Sequence, residues 1–338
     1  MSAALDPAII NALLEAGLID DPSHITASQL SGGVSSDIWR LNGVNGPICL
    51  KRALKKLKVK DDWFAPISRN ASEVGWLKTV RETLPDNIPE VLHHDEDAGF
   101  FVMPFYDPAS YKNWKQELLQ GHADIDVAAH VGRCLGIIHR ETYNDPNVAD
   151  KFANDGTFFD IRLEPYLLAS AERHPKLAER LRALADITAN TKIALVHGDI
   201  SPKNILIGPH GPVFIDAECA WYGDPAFDVA FCLNHLLLKC LYAPTARSDF
   251  KQSFDALCQG YCDEIPSDLS DDILRRTAHL LPGLMLARID GKSPVEYITD
   301  TSQKDIVRQF TSALLLSPFD YPSEICAAWH TALAKTTS

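Results

Sequence analysis

Residues 195–208 read LVHGDISPKNILIG. An apolar run, Ile193 to Val196, leads into His197, Gly198 and Asp199, and a second apolar run resumes directly after Asn204. A strand that buries its side chains and then ends in polar residues holds those residues rigidly at a loop. A carboxylate so placed is positioned as a general base must be. Asn204 adds a neutral oxygen five positions on. PVFID, residues 212–216, reads as another strand ending at Asp216, with Glu218 two residues beyond. Two neighbouring strand ends would bring Asp199, Asn204, Asp216 and Glu218 together, an all-oxygen set that suits a hard cation such as Mg2+. Burying these groups without a purpose is costly.

Composition narrows the classes. The 338 residues suit two domains, and 46% hydrophobic with 23% charged residues is a globular balance. A net charge of −13 argues against nucleic acid as a partner. No apolar run approaches the roughly 20 residues of a membrane-spanning helix, so no membrane partner is expected. The start, MSAALDPAII, lacks a basic segment followed by an apolar one; the expected location is cytoplasmic. Cys49, Cys134, Cys219 and Cys232 sit in apolar stretches and read as small core residues. The spacing CQGYC at 258–262, even with His235, fits no structural zinc site well. The basic run KRALKKLKVK, residues 51–60, reads as a solvated face or a local anion site.

Along the chain, residues 4–18 have helical periodicity. Strands follow around Gly32-Gly33 and the hairpin signal Asn45-Gly46, with the run Ile48 to Leu50 after it. A helix over 68–83 carries Glu73, and IPEVLHHDEDAGFFVMPFYDP gives two short strands. Beyond Pro108 the periodicity turns helical, at 124–142, 161–187 and from Asp228 to about Leu241. The expectation is an N-terminal helical segment (1–25), a β-rich N-lobe (26–107) and a mostly helical C-lobe (108–338). His93-His94 reads as a solvated turn and His139 as a structural hydrogen-bonder. The pair Trp221-Tyr222 reads as packing.

The first third also holds parts that could grip a nucleotide. The turn SGGVSS presents backbone amides at Gly32 and Gly33. Lys51 lies on the following strand, and Glu73 lies on the next helix, as in phosphotransferases whose phosphate-binding lysine is held by a carboxylate. Glu73 has a second available partner in Arg69.

The order Gly-rich turn, lysine, helical glutamate, HGDISPKNIL and VFIDAE resembles the aminoglycoside phosphotransferase-like superfamily of small-molecule kinases, over roughly residues 25–240. The resemblance implies an α+β, two-lobed protein-kinase-like fold with ATP and Mg2+. Asp199 would accept the proton of the acceptor hydroxyl. Asn204 and Asp216 would hold the metal, with Glu218 helping directly or through a water. Gly32 and Gly33 would cover the phosphates, and Lys51, partnered by Glu73, would bind them. Met103 and Phe105, in FVMPFY, would present backbone to adenine. His197 and Asp228 would support the catalytic loop.

FIDAECAWYGDPAFDVAF is similar to methylthioribose kinases and, less closely, to choline and ethanolamine kinases. Arg288 stands where methylthioribose kinases carry the second of two arginines near the sugar; the first is Ala287 here. The implied partner is a small hydroxylated metabolite, a sugar or polyol first. Aminoglycoside or choline/ethanolamine phosphorylation, or nucleotide binding without turnover, are the alternatives. Residues 111–126 read as an inserted segment, and a helix around 303–316 fits either a monomer or a homodimer.

Overall fold

The computed structural model describes residues 5–21, 25–30, 36–54 and 69–335. The chain divides into two compact units, Met1–Ser110 and Tyr111–Ser338. Its fold is α+β, a sheet-based unit followed by a mostly helical one.

The first unit contains α1 (Pro7–Glu15), β1 (Ala27–Leu30), β2 (Ser36–Gly43), β3 (Gly46–Ala53), α2 (Arg69–Arg81), β4 (His93–Asp95) and β5 (Phe100–Pro104). The strands form one antiparallel sheet in the order β1-β2-β3-β5-β4. Asp6 caps α1 by accepting from the Ala8 N–H at 3.0 Å, and Pro7 fills the first turn, where no N–H is needed. Ile9 and Leu13 of α1 join Trp39, Leu41, Ile48, Leu50, Phe100 and Val102 in one buried cluster, so α1 belongs to the core of this unit. The β2–β3 hairpin closes with Gly43 opposite Gly46.

One expectation fails here. His93 and His94 form edge strand β4, opposite Val102 and Phe101, and the turn follows them. Pairing with an apolar central strand overrides the turn-like composition of HHDED.

The second unit opens with β6 (Lys112–Asn113), α3 (Trp114–Leu119) and α4 (Ile125–Glu141). Short helices α5 (Pro146–Lys151) and α6 (Asp155–Phe158) lead into a π-helical stretch, Phe159–Leu168. Then come α7 (Ala169–Arg173), α8 (Ala178–Asn190), β7 (Ala194–Val196), β8 (Ile205–Gly208), β9 (Gly211–Phe214) and β10 (Trp221–Gly223). Helices α9 (Pro225–Tyr242), α10 (Arg247–Cys262), α11 (Ser267–Asp290), α12 (Thr301–Leu316) and α13 (Pro322–Lys335) complete it. Among the described residues no single helix is long and apolar enough to cross a membrane.

Helix α9 is buried on every side, as its all-round apolar sequence requires. Asp224 caps it through Ala226 N–H at 3.0 Å and also receives Arg276 Nε at 3.0 Å. Helices α4 and α10 meet backbone to backbone: a Cβ on Gly132 would lie 2.1 Å from the Leu257 carbonyl oxygen, and one on Gly260 2.3 Å from that of Ala129. Only glycine permits this approach.

Gly132→Ala is therefore expected to force α4 and α10 apart, at a cost of about 1–3 kcal/mol as an overpacked core does. Thermal unfolding checks this: the midpoint should fall by several degrees, whereas Gly156→Ala, with nothing within 4 Å of its added Cβ, should change it little.

Candidate active site

Strand β7 is fully buried and pairs with β10, Val196 opposite Trp221. The chain then leaves the strand through Gly198, at φ +76°, where a Cβ would lie 2.6 Å from the Cys219 carbonyl oxygen. No other residue fits this corner, which brings the His197–Asp199 loop against the Asp216–Cys219 turn.

Asp228, buried on α9, accepts the N–H of His197 at 2.8 Å and that of Gly198 at 2.9 Å, one on each carboxylate oxygen. His197 ties the two loops together. Its Nδ1 accepts from Asp199 N–H at 3.2 Å, so its Nε2 carries the proton and donates to the Ile215 carbonyl at 3.2 Å. Burial pushes this imidazole below its ordinary pKa, in keeping with the neutral tautomer those bonds require. The residue after Ile215 is Asp216, at φ +69°, a left-handed conformation that aspartate tolerates better than most side chains. His139 makes its hydrogen bond to Tyr261 Oη, at 3.0 Å, and its Nε2 lies 3.5 Å from Asp228 Oδ2.

Asn204 is set by the loop it closes. Its Nδ2 donates to the Asp199 carbonyl at 3.0 Å, which turns Oδ1 away as the atom left for a cation. Its carbonyl accepts from Ile215 N–H at 3.0 Å, again joining the His197–Asn204 loop to the Asp216 turn. Asp216 and Glu218 are half-buried, and Asp216 lies near enough to Asp199 to oppose its ionisation. If Asp216, Glu218 and the Asn204 amide oxygen shared one cation, that hard-oxygen donor set would fit Mg2+ better than Zn2+.

Two cations that local sequence reasoning missed surround Asp199. Arg162, in the π-helical stretch, lies 2.9 Å from Asp199 Oδ2, donates through Nε to the Gly198 carbonyl at 2.5 Å and through Nη1 to the Ile161 carbonyl at 2.6 Å. Lys203 reaches the same Oδ2 at 3.1 Å. Burial pushes the Asp199 carboxyl up, but Arg162 and Lys203 more than reverse this and hold it below its ordinary value. Arg162 has no local sequence signal; Lys203, inside the HGD loop, could have been found by its i+4 spacing from Asp199.

The segment read as an insertion, residues 111–126, packs beside this loop. Residues of β6 pair with β8, and Asn113 Nδ2 donates to the Lys203 carbonyl at 2.8 Å. Trp221 stacks on Phe158 at 4.2 Å and Tyr222 Oη donates to the Ile193 carbonyl at 3.0 Å, so both pack within the core. Arg288, on α11, donates to Tyr166 Oη at 3.1 Å and to Ser293.

In the first unit, Lys51 Nζ lies 2.7 Å from Glu73 Oε2, both side chains buried. Arg69 Nη2 donates to the Leu54 carbonyl at 2.6 Å. Met103 lies in β5 opposite Cys49. Phe105 donates its N–H to the Pro47 carbonyl at 3.1 Å, so this residue could present only its carbonyl to an adenine. Gly32 and Gly33 lie outside the described residues.

Fold and site together have the form of a kinase-like phosphotransferase. The chain belongs to the phosphotransferase enzyme family, whose model matches residues 26–248. It is 26% identical over 251 residues to a methylthioribose kinase of Yersinia pseudotuberculosis, across 66% of this chain and 61% of that protein. A methylthioribose kinase of Bacillus velezensis is 24% identical over 258 residues, covering 67% and 64%. The match thus spans about three fifths of the length of these relatives. Among solved structures, the amicoumacin kinase hAmiN in complex with AMP-PNP, Ca2+ and Ami superposes with a TM-score of 0.54 at 13% identity, over 95% of this chain and 96% of that one. A choline/ethanolamine kinase family protein from Mesorhizobium loti gives 0.51 at 15% identity, over 95% and 98%. These structures share the fold.

His197→Leu removes both bonds that the imidazole makes and leaves the Asp199 N–H and the Ile215 carbonyl buried, at about 1–3 kcal/mol each. The expected result is a lower thermal midpoint, read by circular dichroism.

Proposed function

We infer that this protein transfers the γ-phosphate of ATP to a hydroxyl of a small metabolite, with a sugar or polyol as the acceptor. The observation that carries the reading is Asp199, a buried carboxylate kept ionised by Arg162 and Lys203 on a loop fastened to both α9 and the Asp216 turn. Membership of the phosphotransferase family and the similarity to methylthioribose kinases support it.

Asp199 would orient the attacking hydroxyl and receive its proton on Oδ1, since both cations occupy Oδ2. A carboxylate with a lowered pKa is a weak base, which suits phosphoryl transfer: bond-making lags bond-breaking, and positioning matters more than early proton abstraction. Asp216 and Asn204, with Glu218 directly or through a water, would hold Mg2+, which supplies charge neutralisation at the phosphate oxygens. Lys51, fixed by Glu73, would grip the α- and β-phosphates. Lys203, half exposed beside Asp199, would offset charge on the transferred phosphoryl group.

The test is ADP release with ATP and Mg2+ across sugars, polyols, methylthioribose, choline, ethanolamine and aminoglycosides. An acceptor that stimulates release in the wild type but about 100-fold or more less in Asp199→Asn supports the transfer. ATP binding without stimulation by any acceptor would favour a nucleotide-binding protein without turnover. Because the Asp199 carboxyl lies below its ordinary 3.8, it stays ionised as pH falls from 8 to 5. The stability it contributes is present above 3.8 and lost only as pH falls through its lower folded value. The plot of kcat/KM against pH should therefore show no acid limb from this group between pH 5 and 8.

A further inference from the structure

A second group of charged side chains lies beside the catalytic loop, and the mechanism above does not use most of it. Arg162, the partner of Asp199, rests 6.0 Å from the Tyr166 ring and 5.8 Å from the Phe231 ring. On from these aromatics lie two further groups. Arg288 bonds Tyr166 Oη at 3.1 Å, and the His235 ring is 5.8 Å from that of Phe231. One helical turn further along α9, Lys239 Nζ sits 4.7 Å from the centre of the Tyr297 ring. Lys115 closes the group from α3 through its 2.5 Å ion pair with Glu296.

The charges in this group do not balance. Lys115 has Glu296, and Arg162 and Lys203 share Asp199. Among the described residues neither Lys239 nor Arg288 has a carboxylate within ion-pair distance. Lys239 is wholly buried, and Lys239 Nζ, His235 Nε2, Arg288 Nε and Tyr297 Oη are all buried without a hydrogen-bond partner. Arg288, Lys239, Lys203 and Lys115 all act on His235 in the same sense, each disfavouring its protonation.

An unpartnered buried ammonium is expensive, and so are unpartnered donors beside it. Burial and the neighbouring cations pull Lys239 down to about 7. This excess of positive charge occurs in a chain whose net charge is −13, so it is not a reflection of composition. A ligand oxyanion reaching this group would supply the acceptor and the counter-charge it lacks.

We propose that the acceptor is an anionic hydroxy compound, its carboxylate or phosphate held by Lys239 and Arg288 with His235 and Tyr297, and its reacting hydroxyl turned toward Asp199. The proposal rests on the phosphotransferase reading and sharpens it: a sugar acid or a related hydroxy acid fits, and a cationic aminoglycoside or choline does not. Arg162 and the Tyr166–Phe231 pair join the anion pocket to the catalytic carboxylate, so one small molecule of several carbons would span the two.

The experiment pairs acceptors that differ only in charge, gluconate with glucitol and glycerate with glycerol, and adds glycerol phosphate and choline. Both binding by calorimetry and Asp199-dependent ADP release are measured, on the full chain. The proposal expects an anionic member to bind and turn over at least about 100-fold better than its neutral counterpart. Carboxylate and phosphate acceptors tell apart the two possible anions. In Lys239→Met that preference should collapse, while the thermal midpoint rises because a buried uncompensated cation has gone. Arg288→Gln provides a second variant should the first fold poorly.

Asp199-dependent turnover that is equal or better with neutral or cationic acceptors would overturn the anion pocket and leave the phosphotransferase reading standing. Anion binding that depends on Lys239, without Asp199-dependent release from any acceptor, would support the pocket and overturn the transfer reaction. No anion binding, or anion binding unchanged in both variants, would overturn the pocket outright.

Discussion

The arrangement of the candidate site depends on one buried carboxylate, that of Asp228 on α9. Asp228 spends both oxygens on consecutive backbone N–H groups, those of His197 and Gly198. These are donors that β7 has just released from its ladder with β10, and in a dry interior they must be satisfied. Placing their acceptor on α9, the most buried helix, fixes where the chain turns. Gly198 alone can make that turn, and His197 passes the constraint on to Ile215 and hence to Asp216. The positions of Asp199, Asn204 and Asp216 are therefore consequences of one charge-assisted anchor and one ring with a defined tautomer.

Electrostatics then decides what the loop can do. The protein is acidic overall, yet cations gather around Asp199, with Arg162 and Lys203 on its own oxygen and Arg288 and Lys239 beyond. A carboxylate in that field keeps its charge despite burial. It also becomes a poor base, so in the proposed reaction its contribution would be orientation. Lys239 and Arg288 have no carboxylate within ion-pair distance among the described residues, so in the proposed reading catalytic geometry and acceptor chemistry would draw on one pool of charge. Sharing aromatic neighbours, Tyr166 and Phe231, keeps the two halves of that pool in fixed relation.

Much of this was legible in the sequence because it is local. Apolar runs ending in polar residues mark β7 and β9, and the helical periods at 124–142 and beyond Asp228 correspond to α4 and α9. The pairing of Lys51 with Glu73 could be expected from order along the chain, and the structure brings their side chains to 2.7 Å. What escaped was non-local. Arg162 meets Asp199 across 37 residues from a π-helical stretch interrupted by Pro165, where no simple period applies. His93 and His94 look like turn residues until a central strand is present to pair with them. Phe105 looks available until Pro47 takes its N–H. Lys239 did leave a trace, a cation inside the apolar run of α9.

Most element types, the family and the residue kinds that meet around Asp199 could be read from the chain alone, because periodicity and motif spacing act over a few turns or strands. Folding in three dimensions settled which cations stand beside Asp199, which backbone groups remain open, and that Lys239 and Arg288 share a region with no carboxylate in ion-pair distance of either among the described residues. Those outcomes depend on helices α9 and α11 and the Phe159–Leu168 stretch packing together. Electrostatic energy follows distance through the folded interior, not separation along the chain.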